Sequence, residues 1–196
     1  MEIRVYLTTG KIARFGVSGE FGPQRTLGEI DPRNVFSKPL IEFSYGSGER
    51  RIFNPECVEV IALITELQPE WAPPPPIKSV EVISRDLYRE ITQINAVNEE
   101  AQSRMVPGMA FGGLAKVTLK SGNQLFLMHT IEKQAHYDQR AREEKLFTSK
   151  ALPIRREGGG AALLNTANVA SWKFIDIGAD APDEGSVSFQ RIGDSA

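Results

Sequence analysis

Few side chains in this 196-residue chain are of the types that carry acid–base, nucleophilic or metal chemistry. Its two histidines, His129 and His136, flank Glu132. Structural zinc needs four ligands, and catalytic zinc needs three in a rigid frame. Here one histidine falls in a strand pattern and the other in a charged stretch, so no metal site is expected. Cys57 is the single cysteine, which excludes an internal disulfide framework. A cysteine nucleophile needs an adjacent base, and the place of Cys57 beside Val58 predicts a packed thiol instead. The glycine runs at 112–113 and 158–160 lack the lysine or helix context of a phosphate loop and read as turns. There is no G-x-S-x-G elbow, Walker A loop or dinucleotide fingerprint. No catalytic, cofactor-binding or metal-binding residue is assigned, no cofactor is expected, and the chain reads as a non-enzyme. The alternative is an enzyme with an unfamiliar site at a subunit interface, using His136 or Cys57.

Binding chemistry is better represented. The net charge of −2 excludes a strong, general nucleic-acid binder. The charge is uneven, however. Residues 110–175 hold ten basic and five acidic side chains, residues 1–66 hold eight and nine, and residues 176–196 hold one and five. Arg140, Arg142, Lys145, Arg155 and Arg156 are therefore the candidates for contact with an anion or RNA. The alternative is a solvated loop in which Glu143, Glu144 and Glu157 offset those charges. Trp71, next to the proline run Pro73 to Pro76, is a candidate partner contact, or else a side chain packed on its own neighbouring unit.

These residues sit on a repeat. Residues 35–65 and 146–176 align without gaps at an offset of 111, with Phe36/Phe147, Gly48/Gly159, Asn54/Asn165, Val58/Val169 and Ile64/Ile175 identical. Ile41/Leu152, Phe43/Ile154, Ile52/Leu163 and Ile61/Trp172 match in kind. Upstream, RVYLTTGK from Arg4 meets KVTLKSGN from Lys116 at an offset of 112.

Each copy reads as short strands. Ile3, Val5 and Leu7 alternate with polar residues, the period of a half-buried strand. Thr9-Gly10 and Ser121-Gly122 supply turns, and return strands follow over 11–17 and 124–129. A polar loop comes next in each copy. A third strand then carries Ile41, Phe43 and Tyr45 on one face, mirrored by Leu152 and Ile154. A fourth ends at Asn54 or Asn165, where asparagine makes a tight turn. A fifth runs from Val58 to Ile64 and from Val169 to Ile175. Between the copies, Ile77, Val80 and Val82 form a short strand. Ser84 caps a helix running to about Met105, with Leu87, Ile91, Ile94, Ala101 and Met105 on one stripe. That stripe packs on its own domain or serves self-association. The tail from Gly178 has no apolar period.

The strand order resembles the small SH3-like and Sm-like barrels, the class that includes the bacterial RNA chaperone Hfq. KVTLKSGNQLFLM is similar to the opening hairpin of an Sm-like domain, and NTANVASWKFI to its closing strand. The uridine-holding Asp-Asn pair and the Tyr-Lys-His signature of that class have no clear counterpart, so the resemblance implies a fold more than an RNA site. The expected architecture is mainly β: two small SH3-like or Sm-like barrels of about five strands each, over 1–66 and 110–177. A proline-rich linker and helix over 67–109 join them, and a flexible acidic tail spans 178–196. The expected role is a structural or interaction protein that self-assembles or binds a protein partner through strand edges, with three chains giving a ring of six barrels as one example. RNA binding by the basic second barrel is the alternative. The longest apolar run is far too short for a membrane span, and the N-terminus has no signal-peptide core. A cytoplasmic location with no membrane partner follows.

Overall fold

The structure is a computed structural model that describes residues 1–17, 22–45, 49–67, 69–93, 109–132, 139–156 and 159–175. Strands dominate. The first copy contributes β1 (Glu2–Leu7), β2 (Ile12–Gly16), β3 (Ile41–Tyr45), β4 (Glu49–Phe53) and β5 (Val58–Ile64). The linker contributes β6 (Ile77–Val82). The second copy contributes β7 (Met109–Leu119), β8 (Gln124–Glu132), β9 (Ala151–Arg156), β10 (Ala161–Asn165) and β11 (Val169–Ile175). Helices α1 (Gly22–Glu29), α2 (Arg85–Gln93) and α3 (Gln139–Thr148) complete the regular elements.

The expected strands form, and the same pairings occur in both copies. Val5 faces Ala13 as Val117 faces Leu125. Val5 faces Ile61 as Val117 faces Trp172. Phe43 faces Arg51 as Ile154 faces Ala162. Even the irregularity recurs: the register shifts beyond Tyr6 in β1–β5 and between Val169 and Ser171 in β11–β7. Gly10 and Gly122 take φ of 78° and 86°, which the tight hairpins require. Asn54 and Asn165 each accept a bond from the amide two residues on, of Glu56 and Ala167, and so start a short 3-10 turn.

The arrangement of these strands departs from two separately closed barrels. Nine strands form one open sheet in the order β11-β7-β8-β6-β9-β10-β5-β1-β2, and β3-β4 stands as a separate hairpin. Two pairings account for this. The fifth strand of copy one pairs with the fourth of copy two, Leu63 opposite Ala161 through Val60 opposite Leu164. The linker strand β6 lies between β8 and β9, antiparallel to the first and parallel to the second. Linker residues thus become central sheet, because Ile77 and Val80 are apolar enough to be buried at 3% and 2% exposure.

The polar loops expected inside each copy contain helices. Pro23 is tolerated in the first turn of α1. In α3 the run QRAREEKLFT is built from strong helix formers whose charges mask the signal. Helix α2 starts as expected, with the Leu87 amide bonded to Ser84 Oγ at 3.1 Å. Its Ile91 is buried, while Ile94, Ala101 and Met105 lie outside the described residues, as does the tail from 176. Among the described residues, no helix is long and apolar enough to cross a membrane.

Candidate interaction site

The basic candidates fall on two elements, α3 and the end of β9. Lys145 is exposed on α3, which also holds Arg140 and Arg142, whose side chains lie outside the described set. Arg155 and Arg156 end β9 and line a cavity of about 370 Å³ with Trp71, Pro73 and Glu81. Two basic candidates and the tryptophan are therefore brought together. Trp71 is half-buried and packs against the core around Ile3, Phe15 and Leu163. Arg156 also acts on Glu2. That carboxyl is held below its usual range first by the hydrogen bond from Arg4, then by the charges of Arg4, Arg14 and Arg156.

The chemical candidates fare differently. His129 is buried at 4% exposure in β8. It sits over Gly113, where an added Cβ would lie 3.0 Å from its Cε1. Cys57 is exposed, contrary to the expected packed thiol. The 3-10 turn of Pro55–Cys57 holds it out while Val58, the next residue, enters the sheet fully buried. His136 lies outside the described residues.

The most elaborate polar construction joins the two copies. Asn165 Nδ2 donates to the carbonyls of Pro55 and Val58, both at 2.9 Å. Asn168 Nδ2 donates to Glu56 and Val58 carbonyls at 2.8 Å. Glu59 is fully buried, and its two oxygens accept from Ser121 N at 2.6 Å and Ser121 Oγ at 2.7 Å. Around these bonds β5 and β10 bury nearly every side chain, with Ile61, Leu63, Leu163 and Leu164 at 0%. Gly160 sits at the end of the joint with φ of 81°, and a Cβ there would overlap the Leu63 carbonyl.

Among the described residues, the repeat equivalents of this joint are open. Strand β4 is the equivalent of β10, and β11 of β5. Among the described residues β4 pairs only with β3, and β11 only with β7. Ile52 of β4 is 51% exposed, whereas its equivalent Leu163 is fully buried. Trp172, at the position of the fully buried Ile61, is only partly covered and stacks on Phe174 at 5.7 Å. Sequence reasoning missed Ile52, Trp172 and Phe174 as a site. The signal was present in composition: residues 60–64 (VIALI) and 161–164 (AALL) are continuous apolar runs, as strands buried on both faces are, while residues 171–174 (SWKF) alternate and ERRIF opens on three charged residues.

No family model, curated protein or solved structure matches this chain.

Proposed function

We propose that this protein is a non-enzymatic, cytoplasmic assembly module that joins copies of itself head to tail, with β4 of one copy adding to β11 of the next. On this reading each repeat is a small SH3-like or Sm-like barrel unit, open in both copies: between β2 and β3 in the first and where β6 enters in the second. The observation that carries it is the pairing of β10 with β5 beside two open edges at equivalent positions. Transferring that register sets Arg50 opposite Phe174, Arg51 opposite Lys173, Ile52 opposite Trp172 and Phe53 opposite Ser171 of the next copy. Asn54, as the equivalent of Asn165, would donate to the carbonyls of Thr166 and Val169 there.

The outer joint would be weaker than the inner one. Ala170 replaces Glu59, Thr9 replaces Ser121 and Cys57 replaces Asn168, so most of the polar bonds are lost. Glu49 replaces Gly160, which shortens the pairing at that end. Arg51 would face Lys173, and like charges directly opposite are unfavourable. A joint of this kind dissociates on dilution. Because it is heterologous, it closes into a ring or extends into a filament depending on the angle per copy. The native mass tests the reading: a multiple of 21.7 kDa supports assembly, and a monomer at high concentration removes its main ground.

A second reading, RNA binding, is favoured by one observation, the grouping of Trp71 with Arg155 and Arg156 around one groove. An aromatic face beside guanidinium groups stacks bases and meets phosphates. A filter-binding titration with uridine-rich and adenine-rich RNA tests it. Binding that falls steeply with salt supports it, and no saturable binding at low salt ends it.

A further inference from the structure

Strand β6 fills a place in the second copy that no described strand fills in the first. In copy two it lies between β8 and β9, with Val80 opposite His129 and Val82 opposite Leu127. Its Ile77 and Val80 pack with Leu127, Leu146, Leu152 and Ile154 in one buried cluster. Their repeat equivalents in copy one are Phe15, Val35, Ile41 and Phe43. These four line a cavity of about 260 Å³ between β2 and β3, with Thr26 and Glu29 of α1 and the adjoining Ile30 on its wall and the Phe15 and Phe43 rings stacked 5.5 Å apart. Among the described residues β2 pairs only with β1, and β3 only with β4, so no described strand pairs with either edge facing this cavity.

The backbone groups an incoming strand needs are present. In copy two the Ile83 amide donates to the Phe126 carbonyl at 2.9 Å. Arg14 is the equivalent of Phe126. On β2 the Val17 amide points to β1, donating to the Met1 carbonyl at 2.8 Å. Backbone groups of alternate residues in an antiparallel strand point to opposite sides. Arg14 and Gly16 therefore turn theirs outward. Gly16 has open space around it, with nothing within 4 Å of an added Cβ.

We infer that the gap between β2 and β3 is a receptor groove for an extended strand of a partner protein. The strand lies antiparallel to β2 and carries aliphatic side chains at its first and fourth positions, as Ile77 and Val80 do in β6. Main-chain bonds to Arg14 and Gly16 supply affinity, and the aliphatic pair in the cavity supplies selectivity. This groove uses edges other than those of β4 and β11. A chain that takes the peptide while staying monomeric upholds it, and a multimer that ignores the peptide overturns it alone.

The experiment adds a fluorescent peptide with the sequence of residues 76–84, PIKSVEVIS, to the full chain and follows anisotropy and amide spectra. Saturable binding is expected, with shifts at Arg14, Gly16, Phe43 and Ser44. A peptide with aspartate at both aliphatic positions is expected not to bind. Gly16→Pro removes one outward amide on an edge that tolerates proline, and loss of binding is expected. A spin label on the peptide gives the same location on the unaltered chain by broadening, should Gly16→Pro disturb the fold. No binding, equal binding of both peptides, or shifts at Phe126 and Met128 from displacement of β6 would each overturn the inference.

Discussion

Replacing Ile52 with aspartate is expected to abolish association while leaving the fold intact. The expectation follows from two residues at the same repeat position. Leu163 is fully buried in the joint between the copies, whereas Ile52 is 51% exposed in the isolated chain. Burying a whole isoleucine side chain is worth about 1.5–3 kcal/mol. About half of that is already realised in Ile52, so the outer joint gains about 1 kcal/mol from it. Ile52→Ala should therefore weaken each joint roughly fivefold. Ile52→Asp sets a carboxylate against Trp172 of the next copy and desolvates it. That penalty is at least about 3 kcal/mol, a loss of more than a hundredfold. Either change should cost the monomer about 1 kcal/mol, the half of the burial already realised there, because Ile52 is only half exposed. Leu163→Ala should behave in the opposite way, removing about 2–5 kcal/mol of folding stability. Sedimentation velocity over a dilution series, with a thermal melt of each variant, separates the two effects. An Ile52→Asp chain that keeps the multimer mass at every dilution would refute the reasoning. So would one that melts as early as Leu163→Ala.

Other outcomes follow from the same geometry. Lys173→Glu turns the like-charge pair with Arg51 into an attractive one, and should tighten association by about 0.2–1 kcal/mol at low salt, read as a shift of the dilution midpoint. Glu59→Ala leaves the Ser121 amide and hydroxyl without their acceptor at a buried site. It should lower stability by about 1–3 kcal/mol in a denaturant titration, with an unchanged midpoint counting against the joint. Tyr88→Phe should be neutral or stabilising by up to about 1 kcal/mol, because the Tyr88 hydroxyl is buried with no hydrogen-bond partner among the described residues. Burial raises the Tyr88 pKa above its ordinary value of 10.0. The stability it contributes is therefore present below that value and declines as pH rises through the folded pKa, and this decline should vanish in Tyr88→Phe.

Much of the local structure was legible in the sequence, and the joint between copies was not. Alternation at Ile3, Val5 and Leu7, glycines 10 and 122, and the turns at Asn54 and Asn165 are local signals, each acting within a few residues. They gave the strands, the hairpins and the repeat. The pairing of Val58–Ile64 with Ala161–Asn165 depends on residues about a hundred positions apart, and only the length of the apolar runs hints at it. The central place of β6 was hidden by the prolines before it, which read as a spacer. Cys57 was misjudged because a buried neighbour in sequence says little about the facing of a residue in a 3-10 turn. The helices α1 and α3 were hidden by glycine and charge. Of the residues that charge and aromatic character point to, Trp71, Arg155 and Arg156 share one groove. Ile52 and Trp172, which carry the proposed function, were recognised only as members of the apolar repeat.

A disulfide placed across the outer joint tests the central claim most directly. In a Cys57→Ser background, Ile52→Cys and Trp172→Cys should stand directly opposite one another on neighbouring copies. Opposed residues of antiparallel strands have Cα atoms about 4.5–5.5 Å apart, within the range a disulfide spans. Mild oxidation should then give a ladder of covalently linked chains. Arg51→Cys with Trp172→Cys is out of register by one residue, which turns the two side chains to opposite faces, and it should give none. Chains that stay single in the first variant, or cross-link equally in both, would contradict the account.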